Sequence, residues 1–151
     1  MTPQHFLPVL YELVRAYQAF ESYSASHIRK LGLTPSQFDI IATLGNTEGM
    51  TFKELGGKSL ITKGTLTGVV DRMEAKKLVK RVACPEDGRK QYVVLTRSGK
   101  TMFAKIFPVH LAHFQQVFAG YEQQDLDSVK EALKQLKLAF QALGTNIEEA
   151  V

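Results

Sequence analysis

The chain is poor in the features that mark several large protein classes. Cys84 is the one cysteine in 151 residues. That excludes an internal disulfide and fits the reducing cytoplasm. No apolar run reaches the roughly 18 residues that a membrane span needs. Leu7, Val9, Leu10, Leu13 and Val14 lie near the start, but Glu12 interrupts them. No Lys or Arg precedes them and no small-residue cleavage site follows, so a helix of the mature protein is expected in place of a signal peptide. There is no phosphate loop, no Gly-x-Ser-x-Gly turn and no His/Cys spacing of a metal site. His110 and His113 lie three apart on an expected helix, but no acid or cysteine near them in the sequence completes a ligand set, and they are read as structural. No enzyme, cofactor or metal is expected.

What is present is ordinarily globular, with 44% hydrophobic and 23% charged residues. The length fits a single domain, 1–151, able to bury a core. The net charge of +4 is unevenly spread. Between positions 51 and 100 stand 12 Lys/Arg and 5 Asp/Glu, a balance of +7, while the flanks together carry −3. A basic middle between mildly acidic flanks suits a face that meets a polyanion. A merely solvated charged surface is the alternative.

Residues 4–30 have helical periodicity. Phe6, Val9/Leu10, Leu13, Tyr17, Phe20 and Tyr23/Ser24 recur three or four apart, Pro8 sits where a first turn tolerates proline, and Gly32 ends the pattern. This aromatic-rich stripe is read as core or subunit contact, with a ligand-pocket wall as the sharper alternative. Thr34-Pro35-Ser36-Gln37 predicts a capped helix start, with Phe38, Ile40, Ile41 and Leu44 facing inward and a stop near Gly45-Asn46. Thr51-Phe52-Lys53-Glu54 is a second capping signal, opening a short helix that Gly56-Gly57 should weaken. About four residues later Thr62 caps the next helix, the loop length of a helix-turn-helix.

The helix expected over Thr62–Lys76 carries the functional signal. At about 100° per residue, Leu66, Val69, Val70 and Met73 share the inward face. Gly64, Thr67, Gly68 and Asp71 point the other way, Thr65 and Arg72 lie on one shoulder, and Lys63 lies near the other. Two glycines on an exposed helical face cost about 1 kcal/mol each against alanine. They make sense where a backbone must approach a partner closely, such as a DNA major groove; close helix–helix packing is the other explanation. Thr62, Lys63 and Thr65 would present N–H groups and the positive helix end to phosphate, and Thr67 and Arg72 would reach base edges. Asp71 is awkward there, and is expected to orient Arg72 or a nearby lysine or to accept from a cytosine amino group.

Two strands should follow, over 78–83 and 91–95, joined through Pro85-Glu86-Asp87-Gly88-Arg89-Lys90. Asp87-Gly88 suits the reversal. Arg89, beside Lys90 and braced by Asp87, suits a minor groove, where negative potential concentrates. Thr96 should cap a long helix, kinked at Pro108 and ending at Gly120; a last helix should run from Asp125 to Leu143-Gly144, with a frayed tail beyond. The two arms, 4–30 and 97–143, carry more apolar surface than one small DNA-binding lobe, 33–96, can cover. They are expected to pair with a second copy, setting two recognition helices about one DNA turn apart. The fold class is mainly α (α+β): a winged helix-turn-helix with about six helices, a β-hairpin wing and long terminal dimerisation helices.

The chain resembles the MarR-type (multiple antibiotic resistance regulator) transcription factors over almost its whole length. The match rests on Leu33-Thr34-Pro35-x-Gln37-Phe38, on Thr62-x-x-Thr65-Leu66-Thr67-x-x-Val70-Asp71-Arg72-Met73-Glu74, on Leu78-Val79-x-Arg81, and on Pro85-x-Asp87-Gly88-Arg89-Lys90 closing with Leu95-Thr96-x-x-Gly99. The resemblance implies a homodimer on double-stranded DNA, with contacts from Thr62, Lys63, Thr65, Thr67, Gly68, Arg72 and Arg89. It also implies relief of repression by a small aromatic or amphipathic ligand. Tyr17, Phe20, Tyr23, Phe38, Met102 and Phe103 would line that pocket, though all are also plain core positions. Two departures stand out. Lys77 replaces the family's usual glycine, which requires a left-handed lysine or a different helix end at roughly 1 kcal/mol. The first helix lacks the reactive cysteine of peroxide-sensing members, so a thiol sensor is not expected. The competing reading is a winged-helix module that binds protein without DNA.

Overall fold

The computed structural model describes residues 4–61 and 63–148. The first helix, α1, spans Leu7–Lys30 and starts with proline in its first turn. It ends on Gly32, whose φ of 81° lets Leu33 N–H reach the Ile28 carbonyl at 3.4 Å while Gly32 N–H bonds Arg29 at 3.0 Å. Helix α2 spans Pro35–Leu44, and its start is the expected reciprocal box: Thr34 accepts from Gln37 N–H and Gln37 returns a bond to Thr34 N–H, both at 3.2 Å. Helix α3, Phe52–Lys58, is capped by Thr51 and runs through Gly56 and Gly57.

Helix α4 covers Lys63–Ala75. It closes like α1, with Leu78 N–H on the Met73 carbonyl at 3.0 Å and Lys77 N–H on Glu74 at 2.9 Å. Here the left-handed position falls on Lys77, at φ 60°. Of the two alternatives open for this lysine, the chain takes the strained one. Replacing Lys77 with glycine should therefore raise stability by about 1 kcal/mol, and a rise of a few degrees in melting temperature checks it.

The sheet has three strands in the order β1-β3-β2, all antiparallel. Strands β2 (Val79–Ala83) and β3 (Gln91–Leu95) form the expected hairpin, in register from Val79↔Leu95 to Ala83↔Gln91. The added strand β1, Met50–Thr51, pairs Met50 with Val93 just before α3 begins.

Helix α5, Arg97–Gln115, starts on a junction with the end of α4. Thr96 accepts from Gly99 N–H at 3.1 Å, donates its hydroxyl to the Lys77 carbonyl at 2.6 Å, and donates its own N–H to Leu78 at 3.0 Å. A Cβ at position 99 would collide with the Leu78 carbonyl, so glycine is required there. The helix continues through Pro108 but stops at Gln115, short of Gly120, and turns occupy 116–120. Helix α6, Gln123–Glu148, in contrast runs past Leu143-Gly144. Of the expected frayed tail, 149–151 lie outside the described residues.

The chain forms two compact units, one through His113 and one from Phe114 onward. In the first, Ile40, Ile41, Leu44, Leu55, Val70, Met73, Val79 and Val93 are almost fully buried. Along α1, Ile28 is the buried residue, while Val14, Tyr17 and Phe20 stay exposed. In the second unit α6 exposes Val129, Leu133, Phe140 and Leu143. Among the described residues no helix is long and apolar enough to cross a membrane.

Candidate DNA-binding surface

The outward side of α4 carries small residues because its inward side takes all the large apolar ones. Leu66, Val69, Val70 and Met73 are buried, while Gly64, Thr65, Thr67, Asp71 and Arg72 are exposed. A Cβ at Gly64 would meet nothing within 4 Å, and one at Gly68 would meet only the Arg72 Nη1 at 3.5 Å. Close packing inside the protomer therefore does not explain either glycine. Arg72 lies back along the helix over Gly68, one turn earlier. Lys63 opens the helix, and Thr62, expected as its cap, lies outside the described residues.

Asp71 orients neither Arg72 nor a lysine: it pairs with Arg81 on β2. The Arg81 guanidinium forks onto the Asp71 carboxylate at 2.5 Å and the Glu74 carboxylate at 2.7 Å. Its flat face lies over the Phe52 ring of α3, 5.4 Å from the centroid. One arginine thus ties the recognition helix, the wing strand and α3 together, and it neutralises a carboxylate on the outward face.

A second brace fixes the turn before α4. The Asp39 carboxylate, on α2, accepts the Leu60 N–H at 2.7 Å and the Thr43 hydroxyl at 3.4 Å. Burial raises its pKa above the ordinary carboxylate value, and the Leu60 bond pulls against that rise. Gln37 adds a third link, accepting from Lys76 Nζ at 3.4 Å across α2 and the end of α4.

At the wing tip, Asp87 Oδ1 accepts from Arg89 N at 3.1 Å and Arg89 Nε at 3.3 Å, as the spacing predicts. The Arg89 side chain is 93% exposed, and Lys90 beside it is exposed too. Cys84 is buried under the tip. The Asp87 N–H first, then the Glu86 N–H, hold its thiol below the usual cysteine value.

The six residues expected around a ligand are spread over α1, α2 and α5. Phe38 is core, and Phe103 fills the space a Cβ at Gly45 would need while stacking on Phe107 at 4.9 Å. Tyr17 and Phe20 are exposed on α1, and Tyr23 packs against His113. Met102 lines an open cavity of about 600 Å³ between the end of α1 and the start of α5. Lys30, Arg97 and Lys105 also line it, with Leu31 and Ile106. Among the described residues no group of three His, Cys, Asp or Glu is placed to hold a metal ion.

Helix, turn, helix and a two-stranded ribbon with a basic tip define a winged helix-turn-helix protein. The MarR family model matches residues 33–91. The chain is 31% identical to the HTH-type transcriptional regulator MhqR of Bacillus subtilis, over 83% of this chain and 87% of that one. It is 27% identical to the homoprotocatechuate degradative operon repressor of Escherichia coli, over 92% and 91%. The crystal structure of NadR in complex with 4-hydroxyphenylacetate shares the fold, with a TM-score of 0.72 at 22% identity, covering 85% of this chain and 91% of that one. The chain belongs to the MarR family, and it is a DNA-binding transcriptional regulator. That sets aside the reading as a protein-only module.

Proposed function

We propose that this regulator works in the cytoplasm as a homodimer that represses transcription from a pseudo-palindromic operator and releases it on binding a small aromatic acid. It acts without catalysis and without a cofactor. The observation that carries the reading is the strip Gly64-Thr65-Thr67-Gly68 on α4, open to close approach, beside the exposed Arg89 of the wing. The strip would lie in a major groove, with Lys63 and Thr65 toward phosphate, Thr67 and Arg72 toward base edges, and Arg89 in the adjoining minor groove. The apolar residues left exposed on α1 and on α6 support pairing with a second copy. The operon named for one relative and the aromatic acid bound by NadR support the ligand class. So does the cavity above, where Lys30, Arg97 and Lys105 would meet a carboxylate and Met102 and Ile106 a ring.

Selection from a random duplex pool tests this reading. The expected product is a two-fold site with half-sites about 10 base pairs apart, bound by a particle of dimer mass in light scattering and released by 4-hydroxyphenylacetate. Arg72→Ala should cost about 1–3 kcal/mol and relax preference at one base pair of each half-site. A uniform loss across sequences would make Arg72 a phosphate contact. A pool without enrichment, or a stable monomer, defeats the reading.

A further inference from the structure

Three imidazoles join α1 to α5. His27 Nδ1 on α1 lies 2.9 Å from His110 Nδ1 on α5. The His113 ring stacks on His27 at 4.3 Å and on Tyr23 at 4.0 Å. The Tyr23 hydroxyl donates to the His113 carbonyl at 2.7 Å, and Ser24 Oγ stands 3.4 Å from His110 Nε2. His110 is buried, with Phe38 of α2 tilted against it at 4.4 Å. On α1 the titratable and charged neighbours are Tyr23 and Lys30, whose field reaches His27; α5 supplies His110 and His113, and α2 the apolar Phe38.

The geometry limits how many protons this joint can hold. Two Nδ1 atoms at 2.9 Å bond only when one carries a hydrogen and the other a lone pair. Where His110 Nε2–H is turned to Ser24 Oγ, His110 accepts at Nδ1 and His27 donates; where Ser24 donates to Nε2, the two rings exchange roles throughout. A proton taken up at His27 Nε2 leaves that bond in place. A proton taken up at His110 Nδ1 sets N–H against N–H and adds a second positive charge inside the stack, so the rings must part.

We infer that the His27–His110 contact is a proton-sensitive latch between α1 and α5, which acidification opens and which weakens DNA binding when open. The second half of this inference rests on the DNA-binding reading above. The path to DNA is short in bonds: the far end of α5 is fixed through Thr96 and Gly99 to Lys77 and Leu78, where α4 passes into the wing. Pro108, just before His110, removes one backbone hydrogen bond from α5 between its first turns and the latch.

Burial first, then His27 and His113, hold the His110 pKa down to about 4; burial, His113 and Lys30 lower that of His27. A free imidazole titrates near 6.5, so the closed latch binds fewer protons than the open one. The latch is fully favoured above about 6.5, and its closed-to-open ratio falls up to tenfold per pH unit down to about 4.

The test is hydrogen exchange on the whole protein at pH 7.5 and 5.5, corrected for intrinsic chemistry, with operator affinity measured in parallel. Segments around Ser24–His27 and Val109–His113 should lose about tenfold in protection while Ile40, Ile41 and Val93 hold theirs. Operator binding should weaken several-fold, against the general electrostatic trend, since added positive charge otherwise favours DNA. His110→Phe, and independently His27→Gln in case the first misfolds, should flatten both responses. Unchanged protection in the wild type, or an unaltered response in the folded variants, overturns the latch. An absence of DNA binding at pH 7.5 defeats the DNA reading instead, and exchange alone then decides the latch.

Discussion

Arg89→Ala should lower operator affinity about 10- to 100-fold and leave the fold untouched. The asymmetry follows from where the side chain sits. Its ion pair with Asp87, at 3.3 Å, is on a 93% exposed group, and such pairs contribute little to stability in water. What Asp87 does is aim the guanidinium, through the Arg89 N–H and Nε together. In a narrow minor groove the aimed charge replaces counterions and meets concentrated negative potential. The measurement is anisotropy of a labelled operator duplex across a salt series, with thermal unfolding alongside. Wild-type affinity in the variant removes the wing from the mechanism. A melting temperature lowered by several degrees would instead make Arg89 part of the fold.

Arg81→Met has the next largest effect, and it combines stability with binding. Methionine keeps much of the packing over Phe52 but loses both carboxylate contacts. Asp71 and Glu74 are partly exposed, so water rehydrates them and the loss should be about 1–2 kcal/mol. DNA binding should fall further, about tenfold, because the freed Asp71 leaves an uncompensated negative charge on the outward side of α4, the side proposed to meet DNA. Adding Asp71→Asn to Arg81→Met separates the two effects: affinity should recover while stability does not. If the double variant binds as weakly as the single one, Arg81 acts through wing position and not through charge.

The parts of this protein legible in its sequence are those decided over one or two turns. The Thr34–Gln37 box, the inward face of α4 and the Asp87–Arg89 bracket each join residues two to four apart, and each appears as the spacing predicts. The left-handed Lys77 was also readable, because a glycine position without glycine leaves few alternatives. What escaped depends on residues distant in the chain. Arg81 reads as one more charge on a strand until the fold brings it to Asp71 and Glu74. Asp39 reaches Leu60, and His27 reaches His110, across stretches with no periodic signal. Phe38 and Phe103 look identical in sequence whether they line a ligand or fill a core; the fold adds only that Phe38 is buried and that Phe103 lies against Gly45. Strand β1 has only two residues, too few for any alternation, and exists because β3 offers it an edge.

That two-residue strand bears on how the chain is made. Met50 precedes α3 and α4, yet its partner Val93 follows them and the tip. A ribosome releases the whole reading head before the strand that closes it off. Until β3 arrives, β1 lacks the strand it pairs with, and α3 lacks its packing against β3. Closing the sheet is thus a late, non-local step, which slows folding relative to the helices it secures. A chain truncated within β3 should lose the helix-turn-helix as a defined surface, though every residue on that surface would already have been synthesised.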